Sequence, residues 1–358
     1  MRRAPEGRSS ASTGCDMGGL VSVVVLNWNG RDYVLRCLDS LCAQDYPDLE
    51  IIVVDNGSTD GSVDLVKGRY PQIAVIENGA NLGFAAGNNV GIRRASGDCV
   101  VILNPDTELA AGAVSAMRRA IEKDRRYGAC ASKILLKFEP DLLDAAGIVV
   151  CPDGLSIGRG RLEAGARYER EEEVFFGSGC CVMCRREMLE DVKVGDDYFD
   201  ESLFMYADDT DLGWRARLRG WKCIYAPDAL VYHLHSASSE GYSPIKAFLV
   251  ERNRIWLQVK YFPLITICRG QVFTALRYFF QAYGAFAGRG APGEFSKERS
   301  KGELAVILLR AWASGIAGLP AALKKRRVIQ GRRKIGPKEI SGLLKKYGVG
   351  AREIALKG

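Results

Sequence analysis

Three carboxylates crowd one short segment of the sequence, Phe204–Arg215, which reads Phe-Met-Tyr-Ala-Asp-Asp-Thr-Asp-Leu-Gly-Trp-Arg. Capping of the following helix explains one or two of them, because a helix dipole favours negative charge in its first turn. Capping explains Asp208 and Asp209 less well, since an aromatic stretch with strand character, Tyr198–Tyr206, precedes them. A carboxylate at that place suits a general base that faces a pocket.

Asp106 belongs to a second motif, Leu-Asn-Pro-Asp-Thr, at the end of an apolar run. Its carboxylate is a hard oxygen ligand of the kind that Mg²⁺ or Mn²⁺ takes together with substrate phosphates. An Asn-Pro-Asp turn without a ligand is the alternative interpretation. His233, one of two histidines, follows the apolar Ala229–Tyr232. A single histidine is more often structural, so His233 becomes a metal candidate only together with the other motifs.

Asp55 lies in a third motif, Val-Val-Asp-Asn-Gly-Ser-Thr-Asp-Gly, which spans Val53–Gly61. A buried strand delivers this carboxylate to the sheet edge, where it can accept hydrogen bonds from a nucleobase or a ribose. A helix cap, with Ser58 or Asp60 satisfying backbone amides, is the alternative. Capping is favoured for Asp60, and both interpretations stay open for Asp55.

A glycine-rich motif, Asn-Leu-Gly-Phe-Ala-Ala-Gly-Asn-Asn, leads into a helix at Asn81–Asn89. Its glycines allow close backbone approach, and the free amides and dipole of a helix N-terminus favour phosphate. Gly83 could instead serve only a turn. The motif predicts a phosphate contact only in combination with the others.

The elements that must position these residues alternate between strand-length apolar runs and helix-period segments, which predicts βαβ units and a parallel sheet. The predicted strands are Val21–Leu26, Ile51–Asp55, Ile73–Ile76 and Val100–Leu103. Polar loops follow three of them, at Asn27–Gly30, Asn56–Gly61 and Asn104–Glu108. Because ligands lie outside the carboxyl ends of parallel strands, these loops form the candidate site.

The second half of the chain is less regular at first and then helical. The predicted elements are a loop or hairpin region at Pro140–Glu173, strands at Val174–Met183 and Lys222–Tyr225, and an amphipathic helix near Asp209–Arg219. Long apolar helices follow from about Ser243, so we place a boundary near residue 240. The expected organisation is a disordered leader (1–19), a catalytic domain (20–240), a helical subdomain (241–323) and a basic tail (324–358).

The formal charge of +7 on the 358 residues is concentrated in one place, since eight Lys/Arg and no acid lie between Lys324 and Lys338. Without this stretch the chain has 42 basic and 43 acidic residues. A nucleic-acid-binding surface interleaves its charges with stacking aromatics, and this stretch has none. We therefore expect no nucleic-acid partner.

The chain has eleven cysteines, and its first residues, Met1–Gly19, lack the apolar core of a signal peptide. These two features predict reduced thiols and a cytoplasmic location. Cys181 and Cys184 form one CxxC pair without a second pair or a histidine at zinc-finger spacing. We expect both to fill a buried strand as small hydrophobic residues.

The C-terminal apolar runs fall short of the roughly 18 uncharged residues that a membrane span needs. The best of them, Leu304–Leu323, is interrupted by Arg310. Apolar helices followed by a basic cluster favour peripheral docking on an anionic membrane surface. A helical subdomain packed on the sheet, with a solvated basic tail, is the alternative.

Taken in order, the motifs resemble those of the family 2 glycosyltransferases and, within them, the rhamnosyltransferase-like group. The resemblance covers about Val21–Ser238 and continues through Glu251-Arg-Asn-Arg and Lys325-Arg-Arg-Val-Ile-Gln. It implies a GT-A fold, which is an α/β, Rossmann-like, mostly parallel sheet flanked by helices, here with a C-terminal helical extension. It also implies inverting, non-processive transfer of one sugar from a nucleotide-sugar donor, with a divalent metal.

The resemblance also implies roles for individual residues. Asp209 would be the catalytic base, with Asp208 beside it, and Asp106 and His233 would hold Mg²⁺ or Mn²⁺ at the donor diphosphate. The residues assigned to the nucleotide-sugar are Asn27, Asn29, Asp55, Asn81, Phe84, Asn88 and Asn104. His233 also fits the family's His-x-x-x-x-Ser spacing with Ser238.

Two departures from the family pattern affect these roles. Asn104 stands where the metal motif of the wider family has its first Asp, as it does in the rhamnosyltransferase-like group, so one carboxylate remains. Asp208 replaces the Glu of the family's Glu-Asp pair, which leaves open whether Asp208 or Asp209 faces the acceptor.

The expected donor is a nucleotide-sugar, dTDP-rhamnose-like or a UDP- or GDP-sugar. The expected acceptor is a glycan or a lipid-linked molecule in cell-surface polysaccharide synthesis. A sugar nucleotidyltransferase would show a Gly-rich, Arg-containing loop after the first strand, where Asn27-Trp-Asn-Gly30 stands instead. A processive synthase would carry a Gln-x-x-Arg-Trp motif and membrane spans. A binding protein without catalysis gains nothing from Asp106, Asp209 and His233 together.

Overall fold

The computed structural model describes residues 18–234, 243–287 and 301–357. Within these residues the chain forms twelve strands: β1 (Val21–Asn27), β2 (Leu49–Asp55), β3 (Ala74–Glu77), β4 (Cys99–Leu103), β5 (Thr107–Leu109), β6 (Tyr127–Leu136), β7 (Leu143–Ala145), β8 (Ile148–Val150), β9 (Ser156–Gly158), β10 (Glu172–Val174), β11 (Cys181–Arg185) and β12 (Lys222–His233). All four strands predicted between residues 21 and 103 are confirmed.

The same residues contain twelve α-helices: α1 (Val34–Cys42), α2 (Ser62–Arg69), α3 (Gly83–Arg94), α4 (Ala113–Glu122), α5 (Arg186–Val192), α6 (Asp208–Leu218), α7 (Pro244–Tyr261), α8 (Leu264–Ala287), α9 (Lys301–Ala317), α10 (Leu319–Gly331), α11 (Pro337–Lys346) and α12 (Ala351–Lys357). Helices α1–α3 alternate with the first four strands, as the periodicity predicts. Most of the chain after residue 243 is helical.

Ten strands form one mixed sheet with the order β10-β12-β6-β11-β4-β1-β2-β3, to which β5 and β7 are added at β12 and β6. β1 runs parallel to β2 and β4, and β2 parallel to β3. The antiparallel β11 joins this parallel half to β6, and β6 runs parallel to β12. In register, Asn27 lies beside Asp55, so the carboxyl ends of β1 and β2 are level.

Both faces of the sheet are buried under helices. One apolar core contains Val24, Ile102 and Trp214, and the other contains Val23, Val101 and Met117. Continuously buried strands such as β1 and β4 are typical of sheets covered on both sides. The architecture is an α/β sheet flanked by helices, with a C-terminal helical extension.

Two predicted strands are wrong. The apolar run at residues 174–183 is split between β10, which pairs with β12, and β11, which pairs with β4 and β6. Residues 198–206 contain no strand but a 3₁₀ turn, Glu201–Leu203, capped by the side chain of Asp200. Phe199 is buried there against the ring of Phe84, so its apolar character reflects packing and not strand pairing.

Helix α6 is present close to the predicted place, but it is not amphipathic. Ten of its eleven residues are buried, since it lies between the sheet and the C-terminal helices. Its Trp214 packs on Phe175 from the strand side and on Phe262 from the C-terminal side. The last helices are therefore part of the packing of the catalytic sheet.

The basic stretch at 324–338 also packs on the body of the protein. Lys325 bonds to Asp200, Arg326 donates to the carbonyl oxygen of Phe262, and Arg332 donates to that of Asp191. The division of the chain at residues 240 and 323 stays a prediction, and residues 1–17 of the predicted leader lie outside the described residues.

Among the described helices, none alone has the length and apolarity of a membrane span. Gly302–Ala317 and Leu319–Gly331 satisfy that criterion only as a pair, and they meet at a bend of 55°.

Candidate functional site

A cavity of about 750 Å³ opens at the carboxyl ends of β1, β2 and β4, where the polar loops were expected to form a site. Seven of the predicted site residues line it: Asn81, Phe84, Asn104, Asp106, Asp208, Asp209 and His233. They come from the start of α3 and the loop before it, from the loop after β4, from α6 and from the end of β12. Motifs separated by more than 150 residues therefore meet in one place.

Asn27 and Asp55 lie below the cavity and do not line it. The Asn27 amide donates to Oδ1 of Asp55 at 2.9 Å. The same carboxylate accepts from the backbone N–H groups of Gly57 and Ser58 and from the Ser58 hydroxyl, at 3.0, 2.9 and 2.6 Å. Both oxygens of Asp55 are thus engaged in holding the loop after β2.

Asn29, Asn81 and Asn88 also make bonds within the protein. Oδ1 of Asn29 accepts from the N–H of Thr59 at 2.9 Å, and Oδ1 of Asn81 accepts from the N–H of Gly83 at 2.9 Å. Asn88 is buried in α3 and donates to the carbonyl oxygen of Phe84, while its own Oδ1 has no hydrogen-bond partner. Of these three asparagines, Asn81 alone lines the cavity.

Asp106 and His233 face each other, with Nε2 of the imidazole 3.3 Å from Oδ1 of the carboxylate. The pairing of β5 with β12 sets this contact, because it places Thr107 opposite His233. The N–H of Leu234 donates to the Asp106 carbonyl oxygen at 3.0 Å and holds the two ends together. Ser238, which completes the family spacing, lies outside the described residues.

Two further residues meet His233 that sequence reasoning missed. Nδ1 of His233 lies 2.8 Å from Oδ2 of Asp144, and the Cys180 sulfur is near enough to form a potential metal-ligand group with both. Asp144 in turn pairs with Arg161 at 2.6 Å. Asp144 lies in the stretch predicted as a loop or hairpin, and no motif marks it.

The pKa of His233 is raised well above its ordinary value. Burial alone would lower it, because burial disfavours the imidazolium ion, but the Cys180 sulfur and the carboxylates of Asp106 and Asp144 favour the charged form more strongly. This environment therefore attracts positive charge at His233.

Asp209 stands at the cavity wall in the first turn of α6. Its Oδ2 accepts from the N–H of Gly179 at 3.0 Å, and its Oδ1 accepts from the N–H of Thr210 at 2.6 Å. Burial raises the pKa of Asp209, and these hydrogen bonds oppose the rise. Because both carboxylate oxygens accept hydrogen bonds, these bonds stabilise the ionised form of Asp209.

Asp208 is the more buried of the two neighbours, with 4% of its surface exposed. Its Oδ1 has no hydrogen-bond partner. Burial, together with the charge of Asp209, raises the pKa of Asp208 well above its ordinary value. Two adjacent carboxylates do not both ionise easily, because their negative charges repel. Asp209 accepts hydrogen bonds on both oxygens and Oδ1 of Asp208 accepts none, so this environment favours a protonated Asp208 beside an ionised Asp209.

The CxxC cysteines behave as expected, since Cys181 and Cys184 are fully buried in β11. The thiol that reaches the cavity is Cys180, which precedes them. All ten cysteines within the described residues are free.

Comparison with known proteins decides the family. Residues 22–193 match the family model described as glycosyl transferase family 2. Residues 22–193 are a family 2 glycosyltransferase domain. The match ends before Asp208, Asp209 and His233, so these residues of the glycosyltransferase rest on the motifs and on the geometry described above.

Similarity to individual proteins extends further along the chain. The glycosyltransferase is 29% identical over 294 residues to the N-acetylglucosaminyl-diphospho-decaprenol L-rhamnosyltransferase of Mycobacterium tuberculosis, covering 72% of this chain and 91% of the relative. Its sequence is accordingly rhamnosyltransferase-like.

Two solved structures share the fold. The crystal structure of S. aureus TarS 1–349 in complex with UDP-GlcNAc has a TM-score of 0.53 at 19% identity and covers 90% of this chain and 92% of that one. The structure of GalNAc-T7 with UDP, GalNAc and Mn²⁺ has a TM-score of 0.57 at 15% identity. This chain spans about half of GalNAc-T7, with 73% of its own length and 51% of that chain covered.

Proposed function

We propose that this glycosyltransferase transfers one sugar at a time, with inversion, from a nucleotide-sugar to a glycan or lipid-linked acceptor of the cell surface. One observation carries the proposal: Asp209 faces the same cavity as Asp106 and His233. An in-line displacement at the anomeric carbon needs a base near the acceptor hydroxyl and a group that binds the leaving diphosphate. Asp209 and the pair of Asp106 and His233 would supply these in the same cavity.

In this proposal Asp209 is the base. Its carboxylate removes the proton of the acceptor hydroxyl while the oxygen attacks the anomeric carbon from the side opposite the leaving group. The raised pKa of Asp209 supports this role, because a general base works best when its pKa approaches the pH of the medium. Burial and the charge of Asp209 raise the pKa of Asp208, which favours its protonated form, so Asp208 competes less for the acceptor proton.

The donor end of the cavity is assigned to Asn81, Phe84 and Asn104. The ring of Phe84 is held edge-to-face by Phe199, with centroids 5.6 Å apart, and offers a rigid apolar wall. We assign Asn27, Asn29, Asp55 and Asn88 to the same end, where their hydrogen bonds shape the loops and the helix that receive the nucleotide. For Asp55, whose oxygens are fully engaged, we propose an indirect contact through the loop at residues 56–58.

Asp106 and His233 would hold a divalent metal. The Asp106 carboxylate is a ligand that both Mn²⁺ and Mg²⁺ take, and the contact of Nδ1 with Asp144 leaves Nε2 of His233 to face the ion. Asp144 is thus the group that orients His233. The Cys180 thiol is a soft ligand that neither ion prefers. When bound, the metal would neutralise charge on the leaving nucleoside diphosphate.

The substrate class follows from similarity and not from the cavity. The name of the mycobacterial relative specifies rhamnosyl transfer to a lipid-linked diphosphate sugar. By analogy we propose a dTDP-rhamnose-like donor and a lipid-linked acceptor, with UDP- and GDP-sugars as the alternative donors. Mn²⁺ in the GalNAc-T7 structure supports the proposal of a divalent metal.

A lipid-linked acceptor requires the enzyme to work at a bilayer, and helix α8 has a face suited to one. Ile265, Val272, Leu276, Phe279 and Tyr283 recur at helical spacing and are all exposed, Phe279 by 67%. Such a stripe is larger than the single exposed apolar residues that are normal on a protein surface.

The buried face of α8 is the polar one. Thr266, Thr274 and Arg277 are buried, and Gly270 lies so close to the Pro152 carbonyl oxygen that a Cβ would approach it to 2.4 Å. Arg277 pairs with Asp153 at 2.9 Å. The helix therefore directs its polar side inward and its apolar side outward, the reverse of an ordinary surface helix.

Helix α9 shows a second exposed stripe, in which Leu309 is 71% exposed. Trp312 of α9 donates to the hydroxyl of Tyr278 in α8 at 3.3 Å, so the two helices are neighbours. Helices α8, α9 and α10 contain one acidic residue, Glu303, whereas the exposed residues beside the stripes include Arg269, Arg310, Lys324 and Arg327. Apolar stripes flanked by cations fit an anionic leaflet, on which we propose the enzyme docks peripherally, at the cytoplasmic face.

The test of the proposed function has two stages. A thermal-shift screen with nucleoside diphosphates and nucleotide-sugars, with and without Mn²⁺, identifies the donor, because a ligand of the native state raises the melting temperature. Transfer to a short-chain lipid-diphosphate sugar is then followed by mass spectrometry, and NMR determines the anomeric configuration of the product. Inversion with one added sugar supports the proposal.

Other outcomes would replace it. Donor binding without transfer to any glycan or lipid-linked acceptor would indicate a binding protein. Formation of a nucleotide-sugar from a sugar phosphate and a nucleoside triphosphate would indicate a nucleotidyltransferase. Retention of configuration would contradict the role of Asp209 as base in a single displacement.

A further inference from the structure

The chain directly before Asp208 adopts a strained conformation. Phe204, Tyr206 and Ala207 have φ values of 67°, 68° and 64°, in the left-handed region that side chains with a Cβ rarely occupy. Residues in such conformations persist only where the surrounding structure holds them. All four residues of the segment 204–207 line the cavity.

Asn253 of α7 holds this segment from behind. Its Nδ2 lies within hydrogen-bond distance of three carbonyl oxygens of the segment: 3.1 Å from that of Leu203, 3.0 Å from that of Met205 and 2.9 Å from that of Tyr206. Asn253 is completely buried. One amide group, with two N–H donors, is therefore shared among three carbonyl oxygens of the segment, of which that of Leu203 also accepts from the N–H of Met205 at 2.8 Å.

Arg252 reinforces the same contact. Its Nη2 donates to the Leu203 carbonyl oxygen at 2.8 Å, and its Nε donates to Oδ1 of Asn253 at 2.9 Å. The latter bond fixes the amide orientation of Asn253, with the oxygen toward Arg252 and the nitrogen toward the loop. The guanidinium group stacks on the Trp256 ring at 4.5 Å and is thereby held in place.

The glycine-rich motif at the start of α3 holds the other side of the segment. The N–H of Ala85 donates to the Phe204 carbonyl oxygen at 3.3 Å. A Cβ on Gly83 would come within 2.4 Å of that oxygen, and Gly83 itself has a φ of 81°. Phe204 is thus enclosed between the nucleotide end of the site and helix α7.

From these contacts we infer that Asn253, supported by Arg252, is a positioning residue that fixes the 203–207 segment and thereby sets the direction of the Asp209 carboxylate. The inference rests on the proposed role of Asp209 as base. Asn253 touches no reacting atom. It acts through three carbonyl oxygens of a segment that leads directly into the first turn of α6.

The test compares two substitutions of buried amides in the same helix. Asn253→Asp keeps the shape of the side chain but presents an oxygen to the three carbonyl groups. Gln258→Glu makes the same chemical change one and a half turns further on, where the side chain donates to the Asp153 carbonyl oxygen and does not contact the segment. Asp209→Asn is measured alongside as the reference for loss of the base.

We expect Asn253→Asp to lower kcat about 10²-fold, because a misplacement of about 1 Å at a catalytic group has an effect of that size. The donor KM and the nucleoside diphosphate affinity should stay within about twofold of wild type, and chymotrypsin should cleave the native variant faster after Phe204 or Tyr206. Gln258→Glu should change neither kcat nor cleavage at these sites.

A wild-type kcat for a folded Asn253→Asp protein would overturn the inference, and so would an equal loss in Gln258→Glu. If Asp209→Asn keeps full activity, the base assignment fails, and this result is separate from any effect of Asn253. Should Asn253→Asp not fold, Arg252→Met provides the same measurements from a half-buried position, with a smaller expected decrease in kcat and the same unchanged donor KM.

Discussion

The backbone N–H of Gly179 donates a 3.0 Å hydrogen bond to Oδ2 of Asp209. The turn at residues 177–180, which precedes β11, thus holds a side chain from the start of α6. A Cβ on Gly179 would lie 3.0 Å from the tip of the Phe84 ring, so a larger residue here would have to displace that ring by a few tenths of an ångström. The Phe84 ring, proposed to face the nucleotide, and Asp209, the proposed base, therefore both contact Gly179.

Asp209→Asn is expected to lower kcat by about 10² to 10⁴, the usual contribution of a general base. The amide can accept the hydrogen bond from Gly179 but cannot take a proton at neutral pH. Donor affinity, measured by calorimetry with the nucleoside diphosphate, should be nearly unchanged, because the lost interaction forms in the transition state.

Asp208→Asn is the matched control for this measurement. An amide resembles the protonated form that burial and the charge of Asp209 favour for Asp208, so most of the activity should remain. If Asp208→Asn is inactive and Asp209→Asn is active, the roles of the two neighbours are the reverse of those proposed.

The pH profile of kcat/KM should show an acid limb above pH 4. Burial raises the pKa of Asp209, so the carboxyl group holds its proton to a higher pH than a solvated aspartate, whose pKa is about 3.9. Activity therefore falls as pH decreases through the raised value. Circular dichroism over the same range separates this titration from unfolding, and a profile that stays flat to pH 4 contradicts the assignment.

Removal of divalent metal should abolish transfer. With two protein ligands, Asp106 and His233, the ion is expected to bind mainly in the presence of donor, whose phosphates complete its coordination. Activity should disappear in excess EDTA and return with Mn²⁺ or Mg²⁺, and Asp106→Asn should weaken Mn²⁺ binding in calorimetric titrations with nucleoside diphosphate present. Full activity in EDTA would contradict a metal role for both residues.

How much of this site the sequence predicts depends on how far apart in the sequence the contacting residues are. The strand ends that carry Asp106 and the loop after Asp55 follow from local hydrophobic patterns, and the structure places them as expected. Asp144 is 89 residues from His233, and the pairing of β7 with β6 brings them together. No local sequence pattern specifies the register between β6 and β7, so sequence reasoning missed Asp144, which is proposed to orient His233.

The error at residues 198–206 has a different physical cause. An aromatic run buried by helix packing looks the same in sequence as one buried in a sheet, since both need apolar side chains. Two contacts distinguish the observed turn from a strand. The Asn253 amide, from a distant part of the chain, donates to the Tyr206 carbonyl oxygen, and the single polar residue Asp200 caps the 3₁₀ turn. Asp209 lines the cavity although the predicted strand before it is wrong, and its role as base stays a prediction.

Lys260→Met should destabilise the protein by about 3–5 kcal/mol, the range for removing one partner from buried charges. Lys260 is 1% exposed, and its Nζ bonds to Asp211 and lies 2.8 Å from Asp200. Each carboxylate would lose one of two cations, since Asp211 keeps Arg215 and Asp200 keeps Lys325. The free energy of unfolding in urea gives the change. Lys67→Met, which removes an exposed pair with Glu77, should have no measurable effect.

Binding to anionic liposomes should depend on the exposed stripe of α8. Phe279→Glu removes a large apolar side chain and adds a negative charge, and we expect at least tenfold weaker flotation at low salt. Ala282→Glu adds the same charge at an exposed position of the same helix without removing a large apolar side chain, so we expect a smaller effect. Binding of the wild type should weaken at high salt because of screening.

Truncation before Lys324 is not a suitable form of this experiment. Lys325 bonds to Asp200, and the hydroxyl of Tyr347 donates to Glu173 at 2.6 Å, so the missing segment would expose the body of the protein. Equal flotation of the wild type and Phe279→Glu, or none of the wild type at low salt, would contradict docking through α8.

Helix α8, whose polar side is buried and whose apolar side is exposed, also determines how the protein has to be handled. Its interior charge, Arg277 on Asp153, keeps the helix attached to the fold, while Val272, Phe279 and their neighbours remain in contact with solvent. Substituting these outer residues to improve yield would leave the fold intact but remove the surface on which the enzyme is proposed to work. Purification in mild detergent, with a micelle covering the stripe, is therefore the preparation in which stability and activity can be measured on the same sample.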